Sequence, residues 1–79
     1  MNMLLKNISK AHSTPLGIQR IKKNLNLDSD DVLEYCINLI EDKNSKIRKE
    51  GKNYYVTREN EELTIHSTSF TIITAHKID

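Results

Sequence analysis

The sequence predicts an α+β fold of ααββββ order: two N-terminal helices packed on one face of a four-stranded antiparallel meander. Three observations carry this. Apolar residues recur at helical spacing as far as Asn44 and alternate beyond it. The alternating runs are joined by connections too short for the crossovers that parallel strands require. The totals agree: 79 residues form one domain, 1–79, with a small core. A 37% hydrophobic and 29% charged composition suits a small soluble domain better than a disordered chain.

Residues 1–11 contain few periodic signals and read as a short helical or frayed, flexible arm. Thr14-Pro15 is a helix start: a hydroxyl cap, then a proline where its missing N–H costs nothing. This helix runs to about Asn24, with Ile18, Ile21 and Leu25 on one stripe and Arg20 and Lys23 opposite. Gly17, inside the first turn, costs about 1 kcal/mol against alanine and points to the close approach of another backbone. Asn26-Leu27-Asp28-Ser29 is the joint. Asp28 or Ser29 caps the second helix, with Asp30 and Asp31 in its first turn, where the helix dipole favours acids. Val32, Leu33, Tyr35, Cys36, Leu39 and Ile40 form its apolar arc, and it ends near Lys43-Asn44-Ser45.

Lys46–Lys49 follows as a short charged strand, and Glu50-Gly51-Lys52-Asn53 as a tight turn with glycine where positive φ is needed. Tyr54–Arg58 and Leu63–His66 are the next strands, joined by a turn at Glu59–Glu61. Ser67–Ser69 turns into a closing strand, Phe70–His76, whose interior Phe70–Ile73 belongs to the core. Alternation puts Phe70, Ile72, Thr74 and His76 on one face of it and Thr71, Ile73, Ala75 and Lys77 on the other. Both sets are largely apolar, which predicts a neighbour on each side and partial cover on both faces.

A net charge of +1 conceals segregation. Lys6, Lys10, Arg20, Lys22 and Lys23 precede an acidic block of Asp28, Asp30, Asp31, Glu34, Glu41 and Asp42. Lys43, Lys46, Arg48, Lys49, Lys52 and Arg58 then face Glu50 alone, and Glu59, Glu61 and Glu62 form an acidic hinge. Basic blocks that meet in space would attract an anionic partner; otherwise they are solvated faces or partners of the acidic helix. No run approaches the roughly 20 apolar residues of a membrane span. The first residues lack an apolar stretch and cleavage site, so a cytoplasmic protein without membrane contact is expected. The lone Cys36 leaves no intramolecular disulfide and no cysteine-rich zinc site; on an apolar helix face it reads as a buried, inert thiol.

No glycine loop for phosphate, metalloprotease helix or nucleophile elbow occurs. His12, His66 and His76 lack the spacing of a local metal site, so neither metal nor cofactor is expected. What remains is His12, Arg20, Tyr54, Tyr55, His66, Thr74, His76 and Lys77, with the basic residues of 46–52. Metal-independent RNA cleavage draws on such groups: a base for the 2′-OH, an acid for the leaving oxygen, cations for the phosphorane, a ring to stack a base. Each also has a plain role as a surface histidine, core tyrosine or solvated helix face.

Three runs, residues 12–25, Asp31-Val32-Leu33-Glu34-Tyr35-Cys36 and residues 70–77, resemble a family of small bacterial and phage proteins of unknown function. That family has a His-[Ser/Thr]-Thr-x-x-Gly-x-x-Arg-Ile opening and a Tyr-Thr-Ile-Ile-Thr-Ala-His-Lys ending, and the resemblance covers residues 12–77. More broadly, helices before a four-stranded antiparallel sheet with a polar pair ending the last strand is similar to the barnase–EndoU–colicin–RelE group of ribonucleases. That group includes toxins and phage-encoded relatives. The similarity implies a RelE-like fold and a metal-independent endoribonuclease site. It makes His12 the base, His76 the acid beside Thr74, and puts Arg20 or Arg48 on the phosphate. Arg48, Lys49, Tyr55 and Lys77 would bind the substrate. The net charge of +1 departs from the strongly basic ribosome-directed members.

Two functions follow. One is an RNA-cleaving or RNA-binding domain. The other is a non-enzymatic module, such as a phage-encoded or regulatory inhibitor, that docks on a protein partner through its segregated charge. In the second, His12, Thr14 and Gly17 form a structural corner, for instance with His12 hydrogen-bonded to the end of the last strand. Either is compatible with a monomer or a homodimer.

Overall fold

The structure, a computed structural model, describes residues 3–27 and 31–78. Its helices are α1 (Met3–Lys6), α2 (Pro15–Leu25) and α3 (Val32–Glu41), with a 3-10 turn at Ile8–Lys10. Its strands are β1 (Lys46–Glu50), β2 (Asn53–Arg58), β3 (Glu61–His66) and β4 (Ile72–Lys77), antiparallel throughout and in the order β1-β2-β3-β4. The α+β class, the helix-first order and the antiparallel meander are those expected. Among the described residues no helix is long and apolar enough to cross a membrane.

The start of α2 follows its sequence signal. Thr14 caps it, its hydroxyl accepting from the Gly17 N–H at 3.0 Å, and Pro15 opens the first turn. Ile21 and Leu25 are buried along the predicted stripe, and Asn26 ends the helix in the left-handed conformation at φ 54°. The cap of α3 needs correction: it is Asp31, whose carboxylate accepts from the Glu34 N–H at 3.0 Å. Asp31 therefore precedes the first turn, and the expected caps Asp28 and Ser29, with Asp30, lie outside the described residues. The helix also stops earlier, at Glu41. Asp42 accepts from the Asn44 N–H, and Ser45 donates its hydroxyl to the Leu39 carbonyl, satisfying backbone groups left open at the helix end.

Of the expected arm, the described residues 3–11 hold the short helix α1 and a 3-10 turn and are docked rather than frayed. Leu4 on α1 is fully buried, and Ala11 joins it in the core. One buried leucine stabilises by about 1.5–3 kcal/mol, enough to hold a single turn in place.

On the sheet, Tyr54, Val56, Leu63, Ile65, Ile72 and Ala75 form one apolar face and join Ile21, Leu25, Val32, Cys36, Leu39 and Ile40 from α2 and α3 in one cluster. Burial pushes the Cys36 thiol up to about 12, and the charge of Glu61 adds to it, as expected of an inert thiol. The β1–β2 hairpin turns at Gly51-Lys52, with positive φ at Gly51 alone, the type II′ pattern.

The last strand departs most from expectation. Phe70 lies outside it, at φ 57°: its carbonyl accepts from the His12 N–H while its ring remains in the core. Thr71 forms an isolated parallel bridge with His12, and β4 proper begins at Ile72. Thr64 pairs Thr74 whereas Ile65 pairs Ile72, leaving Ile73 as a bulge that is 41% exposed. The extra residue shifts the alternation, so Ile72 and Ala75 share the core face, contrary to the simple period of two. Nor does β4 have a strand on each side: it is an edge, and α2 lies against its free side.

Candidate functional site

Two clusters of polar groups sit at opposite ends of β4. At its start, the Ile72 N–H donates to the His12 carbonyl at 2.6 Å, and the Ser13 hydroxyl donates to the Ile72 carbonyl at 2.9 Å. The His12 ring lies between the Lys10 carbonyl (Nδ1, 2.9 Å) and the Thr71 hydroxyl (Nε2, 3.0 Å). Nδ1 therefore carries a proton for the carbonyl, and in the neutral ring the Thr71 hydroxyl donates to Nε2. Ser69 bonds the same hydroxyl at 2.8 Å. Farther along, the Asn24 amide donates to the Ala75 carbonyl at 3.1 Å. A Cβ on Gly17 would stand 2.7 Å from the Ser13 hydroxyl and 3.1 Å from the Thr14 hydroxyl, so what crowds that glycine is these two side chains rather than the expected backbone: the Ile72 carbonyl of β4, at 3.6 Å, is in ordinary contact. His12, Ser13, Thr14 and Gly17 together form a clasp that spends its polar groups on backbone and neighbouring hydroxyls.

At the other end lies the sheet face that carries no helix. Direct pairing puts Lys46, Thr57, Glu62 and His76 in one cross-strand row, and Arg48, Tyr55, Thr64 and Thr74 in the next. Glu62 sits at the centre: 3.8 Å from His76 Nε2, 3.4 Å from Arg48 Nη2 and 3.5 Å from the Thr57 hydroxyl. Arg48 also pairs with Glu50 at 2.9 Å and lies over the Tyr55 ring, 4.9 Å from its centroid. The bond with Glu50, chiefly, raises the Arg48 pKa, with Glu62 adding to it.

On the helix side of the same end is a second ionic network. Arg58 bridges Asp42 at 3.1 Å and Glu61 at 3.3 Å, and the Tyr35 hydroxyl donates to both oxygens of Glu61, at 2.8 and 2.7 Å. The Asn44 N–H and then Arg58 hold Asp42 below the usual aspartate range, whereas burial and then Glu61 raise Tyr35. Nearby, Asp31, Glu34, Tyr35 and Asn38 line an open hollow with two acids in its wall, a poor receptor for phosphate.

Of the residues singled out from sequence, Arg48, Tyr55, Thr74 and His76 thus share the open face. His12 does not join them. It bridges Thr71, five residues before His76, roughly 16 Å away at about 3.3 Å per strand residue. Arg20 projects from the exposed face of α2. Lys49 and Lys77 pair with Tyr54 and Glu61, on the helix side of the sheet. Glu62 was read only as part of an acidic hinge. Extending the alternation of Thr64 and His66 back by one step would have placed it on their face.

The basic residues of 46–52 gather along β1. Its far side bonds no other backbone among the described residues, and it is exposed except at half-buried Ile47. Lys46, Lys49 and Lys52 are exposed and form no ion pair among the described residues.

A family model described as "Protein of unknown function (DUF3781)" matches residues 5–76. Comparison with curated proteins and with solved structures gives no match. As its sequence led one to expect, the chain belongs to a family of unknown function, the one that this model defines.

Proposed function

We propose that this domain is a non-enzymatic protein-binding module that docks an acidic partner through the basic β1 edge and the hairpin it forms with β2. The observation that carries it is a contrast in the use of charge. On the open face Arg48 is already paired with Glu50 and Glu62, and His76 stands beside Glu62. Lys46, Lys49 and Lys52 form no ion pair among the described residues and follow one another along β1 and its turn, Lys46 on the open face and Lys49 on the helix side, so the field available to a partner lies along the edge. A corner of His12, Thr14 and Gly17 supports this reading, although His12 bonds the start of the last strand and not its end.

The test compares wild type with a Lys46→Glu/Lys49→Glu/Lys52→Glu variant by fluorescence anisotropy. The probes are polyglutamate and a mixed-sequence single-stranded RNA of equal charge. Polyglutamate should bind at least tenfold more tightly than RNA, and the variant should lose that binding. Tighter RNA binding, or equal binding by the variant, defeats the proposal.

One observation favours a second reading, the metal-independent ribonuclease of RelE-like type. Glu62 and His76 are an acid/base pair, and Arg48 could serve a phosphate. That use needs Arg48 to leave its carboxylates and His12 to have no part in proton transfer. Labelled RNA incubated with wild type, His76→Ala and Glu62→Gln separates the readings: a product lost in both variants establishes the enzyme, and no product in wild type excludes it.

A further inference from the structure

The two edges of the sheet are treated differently, and this defines how a partner would attach. The β4 edge is partly covered: the Ile72 N–H and the Ile72 and Ala75 carbonyls are taken by His12, Ser13 and Asn24. The β1 edge bonds no other backbone among the described residues. In a hairpin with a two-residue loop, the residues flanking the loop exchange both backbone hydrogen bonds, and such pairs then alternate with non-bonded ones. Glu50 and Asn53 flank the loop here. Glu50, Arg48 and Lys46 therefore direct their backbone groups to β2, and the N–H and C=O of Lys49 and Ile47 point outward.

We infer that the partner adds an extended acidic segment as a fifth strand, antiparallel to β1, bonded to the backbone of Ile47 and Lys49. This rests on the protein-binding reading above and names its mode and the chemistry of its ligand. Side chains define the ligand further. Opposite Lys46 and Lys49 an acid is favoured, and opposite the half-buried Ile47 an apolar residue. Arg48 already holds two carboxylates, so a neutral polar residue suits its position. Read antiparallel from Glu50 to Lys46, the ligand is polar-acid-polar-apolar-acid. A second copy of the chain does not fit: β1 carries Lys46, Arg48 and Lys49 against Glu50 alone, and two such strands repel. Lysines on an exposed edge are a common guard against self-pairing, and the same charge admits a strand of opposite sign.

The experiment is an amide-resolved NMR titration of the full chain with a peptide containing Thr-Glu-Thr-Val-Glu, against a control containing Thr-Lys-Thr-Val-Lys. The acidic peptide should slow hydrogen exchange of the Ile47 and Lys49 amides at least tenfold at millimolar concentration, with little effect at β4; the control should not. Two variants isolate the backbone contribution. Lys49→Gln removes the charge alone. Lys49→Pro also removes the outward N–H, which an edge strand tolerates because that group bonds nothing within the fold. Lys49→Pro should weaken the peptide several-fold beyond Lys49→Gln, with both variants giving wild-type circular dichroism. Equal affinities of the two variants, with charge-dependent binding retained, overturn strand addition and leave the docking reading standing. No binding of the acidic peptide at millimolar concentration, or equal binding of both peptides, overturns both.

Discussion

The two ends of the last strand are held by different physics. At its start, the Ser13 hydroxyl bonds the Ile72 carbonyl and Thr14 caps the adjoining α2, both through neutral hydrogen bonds, and Ile72 fills the core. At its tip, neighbouring strands and α3 are tied by ions: Arg58 with Asp42 and Glu61 on one face, and Arg48 with Glu50 and Glu62 on the other. Neutral bonds to buried backbone depend little on salt or pH, whereas partly exposed ion pairs depend on both. The start of β4 is therefore scaffold. Its tip is the adjustable end.

The largest test of that contrast is Ile72→Ala. It removes a side chain that is 1% exposed and should cost about 2–5 kcal/mol in chemical denaturation. His76→Ala, at the exposed tip, should stay within about 0.5 kcal/mol. Similar losses in the two variants would break the comparison. Next in size, Arg58→Ala should cost roughly 1–2 kcal/mol, a partly exposed network being discounted for solvent screening, and the loss should shrink in 1 M salt. A loss unchanged by salt would mean that Arg58 acts through packing alone. Thr14→Ala, by contrast, should cost about 1 kcal/mol at either salt concentration, as a lost cap does.

A smaller effect concerns acid. The Asp42 pKa is lowered in the fold, so its contribution is complete above the ordinary aspartate value near 3.8 and disappears as pH falls through the folded value. Urea midpoints measured from pH 6 to pH 2 should fall less steeply on the acid side in Asp42→Asn than in wild type; parallel curves would show that Asp42 has no such role. The smallest change is Gly17→Ala. A gain of about 1 kcal/mol in helix propensity opposes a loss of about 1 kcal/mol from the displaced Ser13 bond, a net within roughly 0.5 kcal/mol. With Ser13→Ala already in place only the Thr14 hydroxyl, 3.1 Å from the added Cβ, has to give, and Gly17→Ala should then cost less than in wild type.

Both helices were legible because Thr14-Pro15 and the apolar arc of Val32–Ile40 are local signals. Gly51 was legible because positive φ has a strong preference for glycine. The cap of α3 was expected at Asp28 or Ser29, but Asp30 and Asp31 can cap equally well, and only geometry selects Asp31. Phe70 gave no warning: an aromatic at φ 57° is held by tertiary contacts, with its N–H on His66 and its carbonyl on His12. Nor does the sequence mark the bulge at Ile73, since an inserted residue changes the facing of its neighbours without changing composition. Expecting a strand on each side of β4 mistook the cover from α2 for a strand; a buried pattern does not say what buries it. The proposed pair of His12 and His76 failed to meet because both lie along β4, and a strand keeps residues apart in proportion to their separation.

The clasp at Ile72 also shapes the order of events in folding. Its bonds join residues 59 positions apart, and the bond from Asn24 to Ala75 spans 51. As the chain emerges from the ribosome, α2 is complete long before its dock exists, and an isolated helix of 11 residues is marginal in water. The β1–β2 and β2–β3 hairpins can form from local contacts, whereas seating α2 must wait for β4. Closure of that long loop is the step expected to limit the rate, and variants at Ser13 or Asn24 would report whether the clasp is already made when the barrier is crossed.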